Sequence, residues 1–180
     1  MANSNKIIPW LIYQEDDHMK PGRIVDLNDG GGKTRFGITS RYFGQIMPSD
    51  FFTDMEFAPA YAVAKQFYQN QHFRQIRGAD INDNSVAAYL LSFAVNAGVI
   101  PSIKTLQHVL GVEQDGVIGI QTLWVLSTKD PAAVSSMFRA EWINYYHRVV
   151  DINPDKQRFL TEWVSRAKFD YPNQIPSIYT

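Results

Sequence analysis

A glycine-rich stretch lies near the amino end of the chain. From residue 29 to residue 39 it reads Asp29-Gly30-Gly31-Gly32-Lys33-Thr34-Arg35-Phe36-Gly37-Ile38-Thr39. Glycine allows backbone angles and close approaches that a side chain would forbid, so four glycines in this run indicate a loop of fixed shape. Loops of this kind often carry function. This one presents a carboxylate on Asp29 and a hydroxyl group on Thr34.

A short apolar segment precedes the glycine-rich turn and leads into an acid. Residues 7–13 are mostly apolar, and Glu15 follows them closely. We expect a short helix that has Pro9 in its first turn and runs to about Asp17, because the missing N–H of proline is harmless in a first turn. Pro21-Gly22 is a turn signal, and it predicts a small β-hairpin near residues 22–38.

The rest of the chain has the apolar spacing of helices. Residues 86–97 form an amphipathic pattern, and Gly98 predicts the end of that helix. Asp130-Pro131 and Asn153-Pro154 each combine a capping side chain with a proline, which predicts two further helix starts. The tail after Tyr171 contains two prolines and is expected to run extended along the surface. The predicted fold class is therefore mainly α.

Length and composition exclude several classes of protein. A chain of 180 residues suits one compact domain, or one domain with a small module. A net charge of −1 gives no electrostatic attraction to nucleic acid or to an anionic membrane. The absence of cysteine excludes disulfides and thiolate chemistry. No apolar run approaches the roughly 20 residues of a membrane-spanning helix, and no signal peptide is recognisable, so we expect cytoplasmic synthesis without stable membrane insertion.

Three patterns that would indicate a metal or a nucleotide fail. Gly32-Lys33-Thr34 looks like the end of a phosphate-binding loop, but Leu27 stands where that pattern needs glycine. A calcium loop starting at Asp26 would need glutamate where Gly37 stands. The four histidines are scattered and show no metal-ligand spacing. The sequence therefore predicts neither a metal nor a cofactor.

Glu15 is the strongest candidate for a catalytic acid. Among the five glutamates, it alone follows an apolar segment and precedes a glycine-rich turn. The competing interpretation is a surface acid at a helix end, beside Asp16 and Asp17. Acidic residues at the carboxyl end of a helix oppose the helix dipole, so this position is unfavourable unless something else requires it. The pattern alone leaves both interpretations open.

The glycine-rich stretch resembles the Asp-Pro-Gly-Gly-x-Thr-x-x-Gly-Ile-Thr signature of the glycosyl hydrolase 108 family. That family comprises phage endolysins and bacterial secretion-activator muramidases, and its catalytic glutamate lies in an upstream Glu-Gly-Gly-Tyr motif. This motif falls on Glu15, which is followed here by Asp16-Asp17-His18. In addition, Gly30 replaces the proline of the signature.

The resemblance extends over most of the chain. Residues 94–98 and 115–123 resemble the peptidoglycan-binding C-terminal part of the family, while Trp163 and Arg166 resemble its closing helices. The resemblance implies a lysozyme-like α-helical fold. It also implies a catalytic part over residues 1–98 and a peptidoglycan-binding-like part over residues 99–180, packed as one compact unit.

A family member of this kind cleaves the β-1,4 bond between N-acetylmuramic acid and N-acetylglucosamine. The resemblance makes Glu15 the general acid, and apolar neighbours such as Trp10 would favour its protonated form. Asp29 would stay ionised and either steer a water molecule or stabilise positive charge, and Thr34 would hold that water. Asn96 is either a sugar-binding residue or a cap at the carboxyl end of its helix.

Several points stay open at this level. Carboxylates about 5 Å apart imply retention of configuration, and about 6.5–9.5 Å implies inversion. A non-catalytic peptidoglycan-binding module and a lytic transglycosylase are the alternative functions. The expected partner is the glycan strand of peptidoglycan, and we expect a monomer. The protein would reach the cell wall through a holin-type pore or another export route.

Overall fold

The computed structural model describes residues 1–16, 18–26, 32–172 and 174–180. Within these residues the fold is mainly α, with eight α-helices and one antiparallel sheet of three strands. In chain order the elements are α1 (Ser4–Glu15), β1 (Val25–Asp26), β2 (Lys33–Arg35), β3 (Ile38–Thr39), α2 (Ser40–Phe43), α3 (Phe57–Tyr68), α4 (Asn84–Ala97), α5 (Val99–Leu110), α6 (Ile120–Ser127), α7 (Pro131–Ile152) and α8 (Leu160–Lys168). Short 3₁₀ or π segments complete them at Gln69–Phe73, Gly78–Asp80, Pro154–Phe159 and Ser177–Tyr179.

Helix α1 begins earlier than its proline predicts. Asn3 caps it by accepting a hydrogen bond from the backbone N–H of Asn5, and Pro9 lies inside the helix. The predicted position of Pro9 in the first turn is therefore wrong. An interior proline costs about 3 kcal/mol, but each large apolar side chain that becomes fully buried contributes about 1.5–3 kcal/mol. Every residue from Ile7 to Ile12 is buried, so packing outweighs the lost backbone hydrogen bond.

The predicted hairpin is part of a three-stranded sheet that continues to Thr39. Strands β2 and β3 are joined by Phe36 and Gly37, whose φ angles are +50° and +74°. Positive φ at both central residues is the geometry of a type I′ turn, which matches the twist of a hairpin. A positive φ is unusual for a bulky residue such as Phe36. The Phe36 ring is fully buried, and its carbonyl accepts a hydrogen bond of 2.7 Å from the hydroxyl of Tyr68.

A buried arginine fastens the sheet to the loop that follows it. The guanidinium of Arg35 donates to the carbonyl oxygens of Gly22 (2.9 Å), Phe51 (3.1 Å) and Met55 (2.7 Å). Its side chain is only 5% exposed. Burial lowers the pKa of Arg35, although the charges of Asp16 and Glu56 act in the opposite direction. Both the turn residue Phe36 and the adjacent Arg35 are thus fixed to neighbouring segments.

The remaining helices form one packed assembly around α4 and α7. Helix α4 is buried along Val86–Ala94 and ends at Gly98, whose φ is +99°, as predicted. Asp130 caps α7, also as predicted, because its carboxylate accepts a hydrogen bond of 2.9 Å from the N–H of Ala133. Helix α7 packs against α4, α5 and α8. Helices α4 and α5 therefore share a neighbour across residue 98, where the sequence predicts a division into two parts.

The chain after α8 lies largely on the surface, as its prolines predict, but one residue near its end is anchored in the core. Tyr179 is completely buried, and its hydroxyl donates to a carboxylate oxygen of Asp16 at 2.7 Å. The hydroxyl of Tyr61 donates to the Tyr179 carbonyl at 2.5 Å. The ring of Tyr179 also lies edge-on to that of Tyr13, with centroids 5.4 Å apart. Aromatic packing thus closes the tail onto the end of α1.

Candidate active site

Glu15 is the last residue of α1, and its side chain is mostly buried, with 10% of it exposed. A guanidinium rather than an apolar surface holds its carboxylate. The Nη1 of Arg166 donates to Oε1, and Nη2 donates to Oε2 at 3.3 Å. The predicted aromatic neighbour, Trp10, instead donates its indole N–H to the carbonyl of Asp170 at 2.9 Å. The candidate site therefore contains an ion pair between α1 and α8.

The glycine turn of the hairpin lies directly against Glu15. A Cβ atom placed on Gly37 would lie 2.6 Å from the Cβ of Glu15 and 3.0 Å from its Oε2. The hydroxyl of Tyr68 would lie 2.9 Å from the same point. A side chain at position 37 would therefore collide with the acid, which explains the glycine. Burial raises the pKa of Tyr68 well above its ordinary value, with a further contribution from the charge of Glu15, so this hydroxyl keeps its proton.

Thr34 lies close to this contact along the same hairpin. It pairs with Thr39 across the sheet and is partly buried. Gly37 is three positions further along the chain, and such a length of chain spans at most about 11 Å. The structure therefore places Thr34 within that reach of the turn that contacts Glu15. Asp29, the third predicted catalytic residue, lies outside the described residues.

Asn96 is connected to the ion pair through a tyrosine of α7. Asn96 is exposed near the end of α4, and its Oδ1 accepts a hydrogen bond of 2.5 Å from the hydroxyl of Tyr146. Burial raises the pKa of Tyr146, and the charges of Arg166 and Glu15 both act on its hydroxyl. The helix cap is Gly98 rather than Asn96. A sugar-binding role for Asn96 stays a prediction.

Arg166 is the residue of this site that the sequence did not single out as functional. It lies 151 positions from Glu15, so no local pattern links the two. Trp163 and Arg166 are three residues apart, a spacing that predicts only a shared face of α8. Burial alone would lower the pKa of Arg166, but the Glu15 carboxylate acts against it and the pKa is raised. The guanidinium therefore stays charged.

A second cavity has charged residues in its lining, but most of these residues have structural roles. This cavity of about 690 Å³ lies between α4, α7 and the end of α8. Three of its charged groups serve the fold, since Asp83 caps α4, Asp130 caps α7 and Arg139 binds Asp170 at 2.8 Å. Among the described residues, no three histidine or acidic side chains are grouped so as to hold a metal ion. No helix in that part of the chain combines the length and apolar character needed to cross a membrane.

Comparison with protein families agrees with the resemblance seen in the sequence. Residues 20–98 match the family model Glycosyl hydrolase 108, and residues 101–168 match the model Predicted Peptidoglycan domain. Residues 20–98 are therefore similar to proteins of the glycosyl hydrolase 108 family. The match to this glycoside hydrolase family includes Thr34 and Asn96, whereas Glu15 lies before its first residue. No curated protein sequence matches the chain.

The fold of the chain is similar to that of a solved structure, Brucella abortus SagA. The TM-score is 0.69, and the alignment covers 92% of this chain and 89% of SagA. The two sequences are 24% identical over that alignment, a level at which the likeness concerns the fold. The predicted mainly α, lysozyme-like fold is confirmed.

Proposed function

We propose that this protein is an N-acetylmuramidase that cleaves the β-1,4 bond between N-acetylmuramic acid and N-acetylglucosamine in peptidoglycan. The observation that carries the proposal is the position of Glu15, which is held at the end of α1 against the Gly37 turn with 10% of its side chain exposed. The glycosyl hydrolase 108 match supports glycoside hydrolysis. The Predicted Peptidoglycan domain match supports peptidoglycan as the substrate.

In this proposal Glu15 acts as the general acid. Its proton passes to the glycosidic oxygen while positive charge develops on the sugar ring that remains. A positioned proton donor of this kind typically contributes about 10²–10⁴-fold in rate. We assign Asp29 to steering water or stabilising that positive charge, Thr34 to holding the water, and Asn96 to binding a sugar. The absent side chain at Gly37 leaves room for the Glu15 side chain beside the turn.

The substitution Glu15→Gln tests this assignment, because it keeps the shape of the side chain and removes the acid. The rate at which a suspension of purified cell walls clears should fall by about 100-fold or more. Glu56→Gln is the matched control, since it makes the same change at an exposed position beside α3. Circular dichroism melts of both variants establish that they are folded at the assay temperature. Wall clearing by Glu15→Gln at the parental rate would exclude Glu15 as the acid.

A non-catalytic wall-binding module is the second candidate, and the match over residues 101–168 favours it. In that segment the buried amide of Gln107 donates to Asp115 at 2.6 Å and to the Val117 carbonyl at 2.9 Å. It also accepts a hydrogen bond of 2.9 Å from the N–H of Gly116. These hydrogen bonds fix the turn at residues 115–117, and a recognition surface requires such a fixed backbone.

The products separate the candidate functions. A binding module co-sediments with cell walls and leaves them turbid. A lytic transglycosylase clears them but releases anhydro-sugar ends, which mass spectrometry detects. The proposed hydrolase clears them and releases ordinary reducing ends.

A further inference from the structure

The ion pair between Glu15 and Arg166 is the starting point. The two side chains are 10% and 14% exposed, and both guanidinium nitrogens Nη1 and Nη2 face the carboxylate. A two-pronged contact between arginine and carboxylate is among the strongest hydrogen-bonding arrangements in proteins. The structure thus shows Glu15 in a contact that suits its ionised form.

Proton donation by Glu15 requires the opposite condition. Among the residues that the structure describes, the charged or titratable groups that interact with it are Arg166 from α8, Tyr68 from α3, Tyr146 from α7 and the adjacent Asp16. Of these four, only Arg166 carries a positive charge at neutral pH. A guanidinium does not lose its proton in proteins, so its influence on Glu15 can fall only if it moves or finds another anion.

A groove next to Arg166 offers a place for that second anion. It has a volume of about 530 Å³ and is lined by Gln14, His18, Arg158, Thr161, Glu162, Ser165, Arg166 and Phe169. Two guanidinium groups and two hydroxyl donors face it, against one carboxylate. Planar guanidinium groups match the geometry of a carboxylate ligand. Peptidoglycan carries such carboxylates, whereas a neutral glycan does not.

We propose that Arg166 is a positioning residue that exchanges Glu15 for a carboxylate of the substrate bound in this groove. The inference rests on the proposed function and adds substrate selection to it. Binding of an anionic strand would draw the guanidinium away and leave Glu15 free to take up a proton. A strand without carboxylates would leave the ion pair in place and would be cleaved slowly.

The experiment compares three substrates. The first is peptidoglycan with its stem peptides, and the second is the same material with its carboxyl groups converted to amides. The third is strands freed of stem peptides, whose lactyl groups carry the carboxylate. The parent protein should cleave the amidated material about 10- to 100-fold less efficiently in kcat/KM, the range expected for losing a hydrogen bond to a charged group.

The variant Arg166→Gln should abolish this preference, so that its kcat/KM is the same for native and amidated strands. Arg166→Lys should restore part of the preference. The parent protein's preference also identifies the carboxylate. A preference seen only with stem-peptide material would assign the carboxylate to the peptide, and one seen only with freed strands would assign it to the lactyl group.

Arg158→Gln is the second variant, because Arg158 is exposed and lies in the groove without contacting Glu15. It should raise KM for native strands and leave kcat unchanged. A purely structural arginine would instead lower activity on native and amidated strands alike. If Glu15→Gln is inactive and both arginine variants keep the parent's preference for native strands, the inference is overturned but the proposed function stands. Full activity of Glu15→Gln would instead overturn the proposed function itself.

Discussion

The contact between Gly37 and Glu15 makes a quantitative prediction for the substitution Gly37→Ala. The φ angle of Gly37 is +74°, and an L side chain in this left-handed region costs about 1–2 kcal/mol. The added Cβ would also lie 2.6 Å from the Cβ of Glu15, closer than real carbon atoms approach. Forcing a methyl group into a packed site costs about 1–3 kcal/mol. We therefore expect a total loss of about 2–5 kcal/mol in the free energy of unfolding.

Gly111→Ala provides a matched control. Its φ angle is +70°, nearly the same, but no atom lies within 4 Å of a Cβ placed there. It should lose only the backbone contribution of about 1–2 kcal/mol. Urea denaturation of both variants at unchanged m-value measures the difference, which isolates the collision with Glu15.

The same pair of variants should separate in activity. Gly37→Ala has to displace Glu15 or the turn and should lose most wall clearing, whereas Gly111→Ala should keep it. Equal stability losses together with equal activities would refute the argument, because they would mean that the Gly37 turn does not pack against the acid.

Two further predictions concern buried groups away from the ion pair. Arg35→Met removes the donor from three carbonyl oxygens and should lower the free energy of unfolding by about 3–5 kcal/mol in urea; a loss below about 1 kcal/mol would show that water replaces the guanidinium. Burial lowers the pKa of His72 from 6.5 to about 4, so the unfolded chain binds more protons between these pH values and stability rises with pH across them. After allowance for partial exposure of the ring, unfolding at pH 4 should be about 2 kcal/mol easier than at pH 7, and His72→Phe should flatten the curve. An equally steep curve for His72→Phe would assign the dependence to other groups.

Much of the helical framework follows from local signals in the sequence. Gly98 ends α4 and Asp130 caps α7 because the requirements for a positive φ and for a side-chain acceptor depend on only a few neighbouring residues. The hairpin prediction depended on the same kind of turn chemistry. The start of α1 failed because burial of the whole segment around Pro9 outweighs a local preference.

The partners of the candidate acid could not be found in this way. Glu15 was recognisable by its position between an apolar segment and a glycine-rich turn, but the pattern predicted apolar neighbours for its carboxyl group. The structure supplies Arg166 from the far end of the chain and Tyr68 from α3. Tyr179 likewise reaches the end of α1 across 163 positions. Contacts over such separations depend on the assembled core, which no local spacing reports.

The long separation between Glu15 and Arg166 has a consequence for the making of the protein. The acid leaves the ribosome early, and its counter-charge follows 151 residues later. A nascent chain that has not yet reached Arg166 contains Glu15 without Arg166 and without a complete α8. The amino-terminal fragment left by a cut anywhere between the two residues does so as well. A single proteolytic cut between the two residues, followed by loss of either fragment, should therefore abolish activity.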